Sequence, residues 1–451
     1  MSANRISAAM LFVMIGVGVP GTVFAKDLSQ AQRSTAQIAM SENTAESAAA
    51  IATLRAQGST GIQAFLKTYQ EELQVNPYQA IAPRWQRLSA ALDAICQQRD
   101  CYASQLYWYT DLAQAKAAAK ASGKPILSLR LLGRLDEDLS CANSRFFRIA
   151  LYPNAEVAKV LRDRFILHWQ SVRPVPKVTI DFGDGRKLQQ TITGNSIHYI
   201  LDADGKPIDA LPGLYGPQAF LKQILQAEKA VKEYSQQAPQ EREAFLKQYH
   251  RDRMAAIQTS WTSDLSQLGI SLPLPTQGKN QSTLSTPTAA QAAPIAMSKM
   301  AIERPLLSSI SRDPVLERKQ ALATATDNNL WAKIGELHHS DAQLDLNSQT
   351  LMRRKNPNAY ARFILKSGAD PLERVLTNFE RLIAVDSIRN EYLLHTQIHE
   401  WFLEGTNTAN LDSLNERVYA QLFLTPSADP WLGLLSRDAY TAIENDGISP
   451  Y

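Results

Sequence analysis

The stretch from Pro125 to Arg148 constrains this chain more than any other. An apolar run, Ile126 to Leu132, is followed by Gly133, by an acidic loop, and then by Cys141 just ahead of a helix-like segment. A thiol between a strand end and a helix start is a recurrent place for sulfur chemistry. Backbone N–H groups there point at the sulfur, and the helix dipole favours the thiolate. The plainer reading makes Cys141 a small buried hydrophobe. Local charge pulls both ways: the helix start, Arg145 and Arg148 lower the thiol pKa, and Asp136, Glu137 and Asp138 raise it.

The flanking pattern predicts an α/β unit. Thr110 to Gly123 reads as a helix that Thr110 can cap and Gly123 stops, and Pro125 opens the next element. Helices are expected at about 142–150 and 155–163, and a strand from Phe165 to Trp169. Lys177 to Phe182 and Lys187 to Thr193 flank Gly183-Asp184-Gly185, a hairpin signal. Ile197 to Leu201 and Pro207 to Leu211 form a second antiparallel pair, and a helix starts at Gly216-Pro217.

Upstream, Lys26 to about Ala50 is polar and Ala/Ser-rich, a loose or weakly helical lead-in. From Thr60 to Ile95 the apolar spacing is helical, interrupted at Pro77 and Pro83. Cys96 and Cys101 close this region. Residues five apart on an intact helix are about 8 Å apart, beyond disulfide reach, so a bridge requires the helix to end near Cys96. Three cysteines with one bridge leave one thiol free. The local pair leaves Cys141 free; a bridge involving Cys141 is the alternative.

The first 25 residues read as a secretory signal: Arg5, an apolar run Ala8 to Val19, then Val23-Phe24-Ala25. Export, periplasmic or extracellular, and oxidation of the close cysteine pair are therefore expected. Later runs fall short of the ~18 apolar residues of a membrane span. Without Arg5, the 46 basic side chains outnumber the 44 acidic ones by only two, which argues against a nucleic-acid partner.

This order of elements resembles the thioredoxin-like superfamily from about Tyr107 to Leu225. Its carriers are Ala117 to Leu127, an expanded A-K-A-S-G-K-P-I-L junction, and Thr193 to Asp202 with Asp204-Gly205-Lys206. Aligned from Ala155-Glu156-Val157, the family's C-x-x-C falls on Cys141-Ala142-Asn143-Ser144. The resemblance thus implies a central mixed sheet flanked by helices, with Cys141 as attacking thiol. Ser144 stands where the resolving cysteine would be, and Ser196 stands at the cis-proline position facing substrate. Arg134 to Leu139 lengthen the preceding loop, and no Trp precedes Cys141. A mixed disulfide on Cys141 could not be resolved within this motif. The resemblance implies monothiol exchange with other exported proteins or small thiols, and no cofactor. The alternative is a binding or scaffold fold with a structural Cys141.

Beyond 230 the chain reads as mainly α. Ala227 to about Trp261 suggests a long surface helix broken near Pro239, and 271–299 has linker composition. The expected organisation is signal 1–25, helical region 26–105, thioredoxin-like domain 106–230, helical extension 231–270, linker 271–299 and a helical domain 300–451. In that last part Asp370 caps a helix carrying the stripe Leu372, Val375, Leu376, Phe379, Leu382 and Ile383. Glu391, His395 and His399 follow at four-residue spacing, which can hold a metal or can be a solvated helix face. His338-His339 reads as surface, and Leu422 to Leu434 as a packed loop.

Overall fold

Seven consecutive residues, Ile126–Leu132, are buried on both faces, as a strand needs neighbours on either side to be. In the computed structural model this strand, β2, is the centre of a mixed five-stranded sheet. The described residues are 29–73, 82–191, 194–270, 328–355, 371–405 and 408–429. The signal-like segment and the 271–299 linker lie outside them, as do Asp370 and the residues beyond 429.

Five helices and a short turn come first: α1 Gln30–Ile38, α2 Thr44–Ala56, α3 Ser59–Thr68, α4 Gln70–Leu73, α5 Pro83–Cys96 and α6 Cys101–Ser104. The polar lead-in is thus firmly helical, with a capping box at Ser29 and Asn43 capping α2. Gly61 lets α3 cross α2 closely, since a Cβ there would fall 1.8 Å from the Leu54 carbonyl oxygen. These helices enclose a core of their own around Leu54, Phe65, Leu88 and Leu92.

The sheet follows with β1 Trp108–Tyr109, α7 Leu112–Ser122, β2, α8 Ala142–Phe146, α9 Ala155–Arg164 and β3 Ile166–Arg173. Asp111, rather than Thr110, caps α7 by accepting from Gln114 N at 2.9 Å. Then come the hairpin β4 Lys177–Asp181 and β5 Lys187–Thr191, the pair β6 Ser196–Leu201 and β7 Pro207–Pro212, and α10 Pro217–Gln236. Strand order is β1-β3-β2-β6-β7; β3 runs parallel to β1 and β2, and β6 and β7 are antiparallel. The hairpin forms a separate two-stranded sheet.

The chain breaks at Pro239 as expected, but α11, Arg242–Gln267, is no surface helix. Leu246, His250, Arg253, Ile257, Trp261 and Leu265 recur every three or four residues along a buried face. The C-terminal helices Asn328–Leu337, Leu346–Lys355, Pro371–Arg389, Thr396–Glu404 and Leu411–Arg417 complete the fold. The apolar stripe of Pro371–Arg389 is rotated by about one residue from expectation: Val375 and Leu382 are exposed, whereas Glu380, Ile383, Ala384, Ser387 and Ile388 are buried. Glu380 accepts from Leu344 N and Ser387 from Gly216 N, so polar side chains satisfy backbone groups on the buried face. The described part of 300–451 does not stand apart. One apolar core runs from Leu106 through the sheet to Phe423. No described helix is long and apolar enough to cross a membrane.

Candidate functional site

Helix α5 ends at Cys96 because Gln97 turns into the left-handed region, φ 56°, and Asp100 repeats the turn at φ 60°. That reversal brings Cys96 and Cys101 to a Cα separation of 6.3 Å and joins them in a disulfide. Asp93 accepts from Cys101 N at 2.9 Å and steadies the turn. The turn leans on the sheet, where Trp169 Nε1 donates to the Gln97 carbonyl at 2.7 Å and Trp108 Nε1 to Gln98 at 2.8 Å.

Cys141 is the free thiol. It caps α8, and its amide returns to β2 by donating to Leu132 O at 3.2 Å. The side chain is fully buried, with Sγ 3.7 Å from the Asn195 carbonyl oxygen. Tyr419 OH donates to that same oxygen at 3.3 Å, and Asn195 Nδ2 donates to Thr425 Oγ1 at 3.2 Å. The C-terminal segment therefore lies over the thiol. Burial pushes the Cys141 pKa up; hydrogen bonds from Ser144 and Leu132 and the charge of Arg145 oppose this without reversing it.

Apart from Arg145, the charges expected around the sulfur are engaged elsewhere. Arg148 is buried, with Nη1 3.3 Å from Asp100 and Nη2 donating to Ser140 Oγ at 3.2 Å. Asp136 pairs with Arg134, and Asp138 with Arg99 and Lys355. Ser144 Oγ donates to the Cys141 carbonyl at 3.0 Å. Ser196 begins β6 directly after Asn195; it is buried, and its Oγ has no partner among the described residues. The fold thus gathers Cys141, Ser144 and the strand start at Ser196 around one sealed point.

A second constellation lies at β7. Its buried residues include Asp209, a carboxylate amid Ile208, Ala210 and Leu211. His395 donates from one nitrogen to Asp209, Nε2 to Oδ1 at 2.9 Å, and from the other to Glu391, Nδ1 to Oε2 at 2.9 Å. His399 Nδ1 stands 2.8 Å from His250 Nδ1 and 4.0 Å from Asp209 Oδ1. Tyr249 OH donates to Asp209 Oδ2, and Arg253 Nη2 donates to Glu391 Oε1 at 3.1 Å. Burial alone would lower the His395 pKa, but the two carboxylates carry it up to about 9. Burial opposes ionisation of Asp209 too, yet the neighbouring imidazoles hold it well below the usual carboxylate range.

Of the three residues at four-residue spacing, His395 and His399 come together with Asp209, whose donor atom lies within 4.8 Å of theirs. Glu391 stands behind His395 rather than beside His399. None of this is a solvated helix face: His395 and His399 are fully buried. The partner strand is 186 residues away in sequence. The available signal was an acidic residue inside an apolar strand, which must find a partner when buried. Beside the cluster, Tyr215, Gln223, Arg253, Ser387 and Glu391 line a cleft of about 120 Å³. His338, expected at the surface, is half-buried there and bonded to Asp264 at 2.9 Å. No family model, curated protein or solved structure matches this chain.

Proposed function

We propose that this chain is an exported scaffold or binding protein built on a thioredoxin-like domain, in which Cys141 is a core residue. The strand order, the parallel β2–β3 pair, the C-x-x-S at the start of α8, the first helix after β2, and the Asn195 carbonyl against the sulfur support the thioredoxin-like part. The Cys96–Cys101 disulfide supports export.

The observation that carries the non-catalytic part is burial of Cys141 beneath Tyr419 and Thr425. A nucleophilic thiol needs thiolate character and an approach for the attacked disulfide. Here burial raises the pKa, and a second part of the same chain occupies the approach. The surface to examine first for partners is the β4–β5 hairpin, which keeps Phe182 and Leu188 exposed. The test is native alkylation with iodoacetamide and, separately, exposure to glutathione disulfide, each read by intact mass. No adduct while folded and one adduct per chain in denaturant is the expected result. Rapid adduct formation on the native chain at neutral pH would restore the monothiol reading.

A further inference from the structure

We propose that Asp209, His395 and His399, with His250 as fourth donor, form a structural divalent-cation site of the zinc class that pins the C-terminal helix to the sheet. This goes beyond the scaffold reading and does not depend on it. Three observations carry it.

The first is the donor set. One carboxylate oxygen and two imidazole nitrogens lie within 4.8 Å of one another, all on fully buried side chains. His250 Nδ1 adds a third imidazole 2.8 Å from His399 Nδ1. Nitrogen-rich sets with one carboxylate suit zinc and its neighbours among first-row ions, whereas calcium and magnesium favour all-oxygen cages. Three fully buried donors, with a fourth imidazole one contact away from His399, correspond to a structural rather than a catalytic site.

The second is the poor fit of the histidine pair without an ion. His250 and His399 face each other through the same nitrogen, so one ring must donate and the other accept. Both Nε2 atoms are buried with no partner among the described residues. A cation bound by both Nδ1 lone pairs replaces a single N–H···N contact with two bonds to metal, the Nδ1 proton of the donating ring moving to its own Nε2. The proton between His395 Nε2 and Asp209 leaves for solvent as the ion takes its place.

The third is the support behind the donors. His395 gives its other N–H to Glu391, which Arg253 fixes in turn; Tyr249 OH holds the second oxygen of Asp209. A carboxylate behind a coordinating imidazole sets its tautomer and aims its lone pair at the metal. The turn Asn390–His395 is a π-helix inside the long C-terminal helix. Such bulges are frequent at functional sites, and the described residues hold two more, at Phe147–Leu151 and Val418–Leu422. His395 and His399, four residues apart where the α-helix resumes, have ring centroids 4.1 Å apart.

The experiment uses the full chain, stripped with a chelator, exchanged into metal-free buffer and titrated with zinc, with bound metal counted by mass spectrometry. About one zinc per chain and a rise in Tm are expected. Asp209→Asn and His399→Asn should each weaken binding at least tenfold, and Glu391→Gln about tenfold through lost positioning. Cys141→Ser should bind as the wild type does, which separates this site from adventitious thiol binding. Should the ligand variants fail to fold, cobalt(II) on the wild-type chain decides. Intense visible ligand-field bands of a four-coordinate ion support the site. A spectrum matching the aqueous ion, or no zinc retained with Tm unmoved, overturns it and leaves His395 as an imidazolium held between two carboxylates.

Discussion

Two buried histidines tie the stability of this protein to pH with a definite sign. His198 Nε2 lies 2.7 Å from Tyr152 OH, and His168 Nδ1 lies 2.8 Å from Ser128 Oγ. Burial carries each pKa down to about 3 from an ordinary 6.5, helped at His168 by the Arg130 charge. Both are neutral in the folded chain, so below about pH 6.5 the unfolded chain binds more protons than the folded one. Their contribution is complete above 6.5 and is lost progressively towards 3. Asp93 acts the other way. Burial raises it to about 7, so the folded chain holds a proton that the unfolded chain has released, and stability is gained as pH falls from 7 towards 3.8. Among these three groups, two histidines against one carboxyl leave a net loss near one proton, about 1.4 kcal/mol per pH unit. The expected outcome is a urea midpoint that falls on acidification, and less steeply in His198→Gln than in wild type. Equal acid slopes for the two chains would show that His198 is not held neutral. At the alkaline end His338, raised to about 9 by its hydrogen bonds to Asp264 and Asp341, adds stability below 6.5 that fades as pH climbs through 9.

The loop between β2 and α8 stands on one backbone position. Gly133 has φ 75°, and a Cβ there would meet Val175 Cγ1 at 2.9 Å and Ser140 Cα at 3.3 Å. Gly133→Ala should therefore cost about 1–3 kcal/mol in a urea titration, from a disfavoured φ and a contact with backbone. Because Cys141 N is tied to Leu132 across this loop, the same variant should also speed alkylation of the native thiol. Unchanged stability with unchanged reactivity would mean the loop yields freely. Elements such as β2, the Gly183-Asp184-Gly185 hairpin and α10 were legible because each carries its own period and its own stop. What escaped reading has one physical cause: residues whose role is set by a distant partner. Glu380 and Ser387 lie inside a helix that hydropathy alone would turn the other way, because they satisfy Leu344 N and Gly216 N. The π-helical turn at Asn390–His395 shifts the helical phase again, yet the four-residue spacing still brings His395 and His399 together, with only Glu391 set behind them. Asp209 could be marked as anomalous in an apolar strand, but nothing local names His395 as the group it meets.

At the scale of the molecule, the C-terminal segment acts as a cover for the sheet. Buried Arg130 of β2 reaches Asp412, Tyr199 of β6 donates to Asn415, and Arg173 of β3 donates to the carbonyls of Thr425, Pro426 and Asp429 at 2.8–3.2 Å. Between β3 and β6 the described residues form only the β4–β5 hairpin, so residues 411–429 supply covering that this hairpin does not. This arrangement changes what cutting the chain should do. The span 271–327 joins α11 to the helix Asn328–Leu337, and its Ser/Thr/Pro/Ala/Gln-rich part has little apolar surface to bury. Limited proteolysis is expected to nick there first. Two independent domains would then separate, but these halves share one apolar core from Leu106 to Phe423, and neither can keep its buried face without the other. The nicked protein should elute from size exclusion at the volume of the intact chain, with both fragments in one peak. Arg173→Ala should loosen the cover alone: a charged donor to three carbonyls is lost, about 1.5–3 kcal/mol, and native alkylation of Cys141 should quicken. If the fragments part on the column without denaturant, the sheet and the C-terminal helices are separate units, and the sealing of Cys141 needs another explanation.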